Sequence, residues 1–111
     1  IRFGANKGLE DERDLSKVGL DIELFKAFSE GFLKACGNSL NKREIELLPM
    51  AAVVMTYECG IRFLGDYIAG DKYFKISREN HNLDRARTQM KLISDMESNM
   101  DKMKKVVERY I

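Results

Sequence analysis

The chain has 111 residues, 44% hydrophobic and 33% charged, which suits one domain burying about two-thirds of its unfolded surface. Lys+Arg 19 against Asp+Glu 18 leaves a formal net charge of +1, so the totals provide no broad basic face and make nucleic acid or acidic lipid an unfavoured partner. No apolar run reaches the length of a membrane span and no basic-then-apolar leader opens the chain, so the expectation is a cytoplasmic protein without membrane association.

In chain order, the segment Ile1 to Asn6 (IRFGAN) is half apolar with no helix cap ahead of it. That pattern reads as a continuation from upstream, and the chain is expected to be a piece of a longer protein. The charged run Glu10 to Lys17 predicts a solvated turn or short helix leading into Gly19. From Asp21, a suitable cap, the set Leu24, Phe25, Phe28, Phe32, Leu33 and Cys36 recurs at steps of three and four, and Gly37 stands where a left-handed helix end takes a glycine. Asn41 and Glu44 form a capping-box signature, and helical register continues until Pro49, which starts a new helix or kinks the old one. Beyond it Met50, Val53, Val54, Tyr57, Ile61, Leu64 and Ile68 predict a central helix ending at Gly70.

Asn82 is a candidate cap for a third helix, in which Leu83, Ala86, Met90, Ile93, Met96, Met100, Met103, Val107 and Tyr110 keep helical steps. This Met-rich stripe suits core packing, with an adaptable partner groove or a coiled-coil seam as alternatives. No run alternates apolar and polar residues over a strand's length, so the fold class is all-α: three main helices after a short N-terminal coil or helix, in a single helical domain spanning 1–111. Cys36 and Cys59 lie in helical stretches without metal spacing, and the lone histidine is His81, so free thiols are expected.

The chemistry concentrates between Tyr57 and Phe74 (YECGIRFLGDYIAGDKYF). Glu58, Arg62 and Asp66 share an arc of roughly 80° on the central helix, beside the small or flexible residues Ala51, Met55, Gly65 and Ala69. One reading is an exposed i,i+4 ion-pair ladder, contributing a few tenths of a kcal/mol per pair. The other makes Arg62 a guanidinium held in one rotamer by two flanking carboxylates, presenting its fork of donors to a polyol or phosphate. After Gly70, Tyr73 and Phe74 stand together where helical burial cannot cover both. Tyr73, with a phenol and an apolar face, is either a sugar-ring contact or a loop anchor. A hydrogen bond at the helix start is the expected role of His81, and solvated pairing with Asp84 and its neighbours that of Arg85 and Arg87. There is no nucleotide-binding glycine loop, no nucleophile with supporting histidine and no carboxylate set spaced for magnesium, so no catalytic residue and no metal ligand is assigned.

The run MTYECGIRFLGDYIAGDKYFKI from Met55 to Ile76, followed by HNLDRARTQ from His81 to Gln89, resembles the C-terminal helical part of bacterial N-acetylhexosamine 1-kinases within the aminoglycoside phosphotransferase family. IRFGAN at Ile1 to Asn6 and EDERDLSKV at Glu10 to Val18 look like the segment that follows the metal-binding Asp-Phe-Gly-Asp motif of those enzymes. The resemblance implies the C-terminal helical subdomain of a protein-kinase-like fold. In such an enzyme an N-terminal lobe and catalytic loop upstream of Ile1 hold ATP and magnesium, and transfer a phosphoryl group to the anomeric hydroxyl of an N-acetylhexosamine. By motif match the sugar-contacting arginine and tyrosine fall on Arg62 and Tyr73. Glu58 and Asp66, by spacing, would support them from behind. The chain alone is expected to be inactive, to partner the kinase lobe of the same polypeptide, and to self-associate through apolar surface that the lobe would cover. Two other readings stand beside this one: a stand-alone helical interaction module, and a phosphotransferase for another small alcohol or an aminoglycoside.

Overall fold

A computed structural model describes residues 1–111. The fold is all-α, with helices α1 (Ile22–Cys36), α2 (Lys42–Glu46), α3 (Leu48–Ala69), α4 (His81–Ser98) and α5 (Met100–Glu108), and 3₁₀ turns at Leu15–Lys17 and Gly37–Ser39. No helix is long and apolar enough to cross a membrane.

The local signals explain most boundaries. Asp21 accepts the backbone N–H groups of Glu23 and Leu24 and starts α1. The Asn41–Glu44 capping box closes in both directions over α2. Pro49 lies in the first turn of α3, where its missing N–H costs nothing. Gly70 ends α3 at φ 97°, in the left-handed region.

Three expectations are corrected. Gly37 is right-handed and begins a 3₁₀ turn instead of closing α1 with a left-handed residue. The third helix begins at His81, preceded by Asn80 at φ 61°, so Asn82 lies inside the first turn, where its side chain is committed to a tertiary contact. That helix is also not continuous. Asn99 turns its amide onto the Asp95 carbonyl at 2.8 Å and separates α4 from α5, because a short amide side chain competes with the helical ladder.

The Met stripe packs inward: Met96 and Met103 are fully buried, and Met90 and Met100 are half-buried. They join Ala5, Val18, Leu20, Phe25, Ala52, Val53, Leu92 and Ile93 in the main core, while Leu33, Ile45 and Val107 form a smaller one between α1, α2 and α5. The N-terminal segment is a strap, not a solvated tail. An antiparallel bridge joins Asn6 to Leu20, Ala5 and Leu20 enter the core, and the strap lies along α4. It is tied there by Thr88 Oγ1 to the Glu12 carbonyl (3.1 Å), Lys91 Nζ to the Val18 carbonyl (3.3 Å), and the Leu20 N–H to Asp95.

The central helix buries a different face from the one its apolar spacing predicts. Ala52, Val53, Thr56, Gly60, Phe63 and Asp66 face inward, whereas Met50, Val54, Tyr57, Ile61, Leu64 and Ile68 are exposed. Of that predicted stripe only Val53 is core. The reason is closeness of approach: small residues let α3 and α4 pack tightly, and a Cβ at Gly60 would sit 2.5 Å from Met90 Cε and 3.2 Å from Gln89 Cβ. A similar shift occurs on α1, where Phe25, Ser29 and Leu33 are buried and Leu24, Phe28 and Phe32 remain exposed.

Gly60→Leu is therefore expected to cost about 2–3 kcal/mol by forcing α3 and α4 apart. Urea unfolding followed by circular dichroism should show a lowered midpoint; an unchanged midpoint would show that the helices can separate freely.

Candidate functional site

Asp66 occupies the last turn of α3 and is almost fully buried. Its Oδ1 accepts the backbone N–H groups of Lys72 (2.9 Å) and Tyr73 (2.8 Å), and its Oδ2 accepts that of Phe74 (3.0 Å) and Asn82 Nδ2 (2.8 Å). Two consecutive left-handed residues, Gly70 at φ 97° and Asp71 at φ 60°, reverse the chain so that these N–H groups point back at the helix. Asn82 spans the remaining gap, donating also to Asp71 Oδ1 at 3.0 Å and accepting from Arg85 Nη1 at 2.9 Å. Burial opposes charge on Asp66, yet the N–H groups of Phe74, Tyr73 and Lys72 and the Asn82 amide outweigh it and hold the carboxyl below the usual aspartate range.

This arrangement corrects the expected role of Asp66 as a flanking partner of Arg62. Its oxygens are committed to the loop. Only Glu58 remains beside the guanidinium, at 3.8 Å with both side chains about half exposed, a contact worth a few tenths of a kcal/mol. Arg62 is positioned by rings instead. Its Cζ lies 5.6 Å from the Tyr73 ring centroid and 5.5 Å from that of Phe74. Tyr73 meets Phe74 edge-on at 4.9 Å, and Phe74 tilts onto Phe63 at 4.8 Å. Phe74 thus turns inward as the loop's anchor, and Tyr73 stays 74% exposed with its phenol free to meet a ligand.

A cleft of about 310 Å³ lies beside this cluster, walled by Arg62, Phe63, Phe74, Lys75 and Arg85 on one side and by Arg2 and Glu10 of the strap on the other. Arg85 stacks over Phe63 at 5.7 Å and donates to the Lys75 carbonyl at 3.1 Å, not to Asp84. The cleft has an aromatic floor and four cationic side chains against one carboxylate. A second groove, of about 350 Å³ between α1 and α3, is lined almost wholly by apolar side chains, among them Phe25, Phe28, Phe32 and Met55, and lacks convergent polar groups.

Asp84 pairs instead with Arg78 (2.9 Å), which also holds Asp11 at 3.2 Å. His81 Nδ1 accepts the Ser77 N–H at 3.1 Å, which requires the proton on Nε2, directed at Asp11 Oδ2 2.7 Å away. His81 therefore makes the expected hydrogen bonding at the start of α4, and in doing so ties down the strap. The His81 hydrogen bond, opposed by burial and reinforced by Arg78, keeps Asp11 below the ordinary aspartate range. No group of three His, Cys, Asp or Glu side chains converges on a metal-sized point, and Cys36 and Cys59 are free.

Of the four residues singled out from the sequence, Arg62, Tyr73 and Asp66 belong to one cluster, and Glu58 touches only its edge. Phe63 completes the cluster without having been singled out, and Asn82 and Arg85, read from the sequence as a helix cap and a solvated partner of Asp84, take different roles in it. No protein-family model matches the chain.

Two outcomes test this construction. Asn82→Ala should cost about 1–3 kcal/mol, because the buried Asp66 loses a donor that water cannot readily replace, while the half-buried Asp71 loses a second one. Because the folded pKa of Asp66 lies below its unfolded value, its contribution is present above about pH 4 and fades as pH falls through the folded value. Asp66→Asn should therefore be less stable than the parent at pH 7 and should lose less stability than the parent on acidification, as measured by thermal melts across pH 7 to 2.5.

Proposed function

We propose that the chain is the acceptor-binding helical part of an ATP-dependent sugar 1-kinase of the protein-kinase-like class, with an N-acetylhexosamine as acceptor. One observation carries the reading. Arg62 and Tyr73, matched to sugar contacts by motif, are brought together by the turn after α3, with the Arg62 Cζ 5.6 Å from the Tyr73 ring centroid; Arg62 lines a polar cleft floored by Phe63 and Phe74, and Tyr73 stands outside its lining, edge-on to Phe74. A sugar needs an apolar surface for its ring face and fixed donors for its hydroxyls. Tyr73 offers the ring and the phenol. Arg62 offers donors whose orientation is set by two aromatic faces.

The roles of the supporting residues differ in kind. Asp66 supports Tyr73 through the backbone, fixing the loop from which the phenol projects. Glu58 weakly restrains Arg62 from the preceding turn. ATP and magnesium are assigned to the part of the enzyme upstream of Ile1. The cleft here has cationic walls, and the Asp66 oxygens are already taken by N–H donors, so these residues do not suit a magnesium ion and no step is routed through one.

The same cationic walls weigh against an aminoglycoside as acceptor: Arg2 is paired with Glu10 and Glu58 offsets Arg62 only weakly, so Arg62, Lys75 and Arg85 leave the cleft net positive and would repel a polyamine. A neutral or N-acylated sugar meets no such barrier.

Titration of the labelled chain with N-acetylglucosamine, followed by nuclear magnetic resonance, should shift the signals of Arg62, Tyr73 and Phe74 with an affinity on the order of millimolar. Arg62→Ala should weaken this about tenfold, equivalent to ~1.4 kcal/mol, and Tyr73→Phe a few-fold. Absence of shifts at 100 mM sugar (on the order of a hundredfold above such an affinity), or tighter binding of a polyamine aminoglycoside, would overturn the assignment.

A further inference from the structure

The exposed stripe of α3 has a spacing that its burial pattern does not explain. Leu47, Met50, Val54, Tyr57, Ile61, Leu64 and Ile68 follow steps of 3, 4, 3, 4, 3 and 4, an unbroken 3.5-residue repeat along the longest helix in the chain. A helix that merely lines a core drifts with the 3.6-residue turn. A strict 3.5 repeat is what a second helix, supercoiled along the first, demands.

Every member of the repeat is open, from 39% for Leu64 to 75% for Ile68. The face that packs on α4, centred on Thr56 and Phe63, lies roughly 140° from the centre of the seam at 3.6 residues per turn; the two meet only along one edge, where Leu64 borders a groove with Leu83, Ala86 and Met90 of α4. Together the seven side chains leave on the order of 650 Å² of apolar surface in water, above the largest patch of a typical monomer. Two such faces brought together would remove at most about 1,300 Å², at the low end of stable protein interfaces.

We propose that the occupant of this seam is α3 of a second copy of the chain, in a parallel, two-fold symmetric pair. The residue types give the orientation. Val54, Ile61 and Ile68 are β-branched and share one position of the heptad with Leu47, while Leu64 shares the other with Met50 and Tyr57; the β-branched position and Leu64 follow the pattern that favours two parallel strands. An antiparallel pair in full overlap would bring the two Glu58 carboxylates together at its centre, whereas parallel pairing keeps them apart. The buried face of α3 in each copy is centred on the other side of the helix from the middle of the seam. This inference rests on spacing and exposure and is independent of the ligand assigned to that cleft.

Sedimentation equilibrium over a wide concentration range should give twice the chain mass, and Ile61→Glu, an exposed site whose fold is checked by circular dichroism, should weaken the pairing about a hundredfold. In a Cys36→Ser, Cys59→Ser background, Ile61→Cys should form a symmetric disulfide between copies, which needs no destabilising charge. The proposal is overturned by a monomer at roughly several hundred micromolar, about a hundredfold above the weak, micromolar end of interfaces near this size. An association indifferent to Ile61→Glu also overturns it, as does cross-linking of Val54→Cys with Ile61→Cys in place of the Ile61 pair, the antiparallel signature. Monomeric behaviour with protection of Ile61 and Ile68 only in a longer polypeptide would make an upstream helix the occupant and equally remove the dimer.

Discussion

One carboxylate organises the polar end of this molecule. Asp66 gathers three successive backbone N–H groups and a buried amide, so that all four donors of this tight turn are met by one anion. The loop from Gly70 to Phe74 has the shape it has because this anion sits at the end of α3. Phe74 reaches Phe63, and Tyr73 and Arg62 come face to face, as consequences of that shape. The site is therefore built indirectly: a buried acid positions backbone, the backbone positions rings, and the rings position a cation.

The second determinant is steric. α3 presents small residues, Ala52, Thr56 and Gly60, to α4, and the close contact they permit leaves the larger aliphatic side chains on the outside. An apolar side chain is valuable to burial in proportion to its area, but its size also sets how near two backbones can come. Here proximity wins, with Gly60 against Gln89 and Met90 as the narrowest point. The result is a helix with two apolar faces, one spent on the chain's own core and the other left in water.

Much of the fold was legible in the sequence wherever a local backbone rule governs: Asp21, the Asn41–Glu44 box, Pro49 and Gly70 act within a turn or two of themselves, and their chemistry is decided by neighbours in sequence. The inward course of the Met stripe was legible too, because its period and the helix agree. The choice of face on α3 was not. Periodicity reports that large apolar residues share a side, and says nothing of which side a neighbouring helix can approach more closely. For the candidate site, Arg62 and Tyr73 stood out by type and position, but the spacing of Glu58, Arg62 and Asp66 suggested an ion-pair ladder that does not form at Asp66, since backbone donors separated by six to eight residues outcompete a guanidinium one turn away. The roles of Asn82 and Arg85 and the link from His81 to Asp11 were hidden because they depend on tertiary placement of a segment with no periodic signal of its own.

The strap that runs from Ile1 to Leu20 has a kinetic implication. Its ties join residues far apart in the chain: Asp11 to His81 across 70 positions, Thr88 to Glu12 across 76, Lys91 to Val18 across 73. Closing loops of that length sacrifices chain entropy before any contact repays it, whereas α3 and α4 are consecutive helices whose connecting segment, Gly70 to Asn80, is drawn together locally by Asp66. On these grounds the α3–α4 hairpin is the natural nucleus, and the strap is the last piece to dock. During synthesis residues 1–20 would emerge well before α4, the helix they lie against, and would wait unpaired until it had formed.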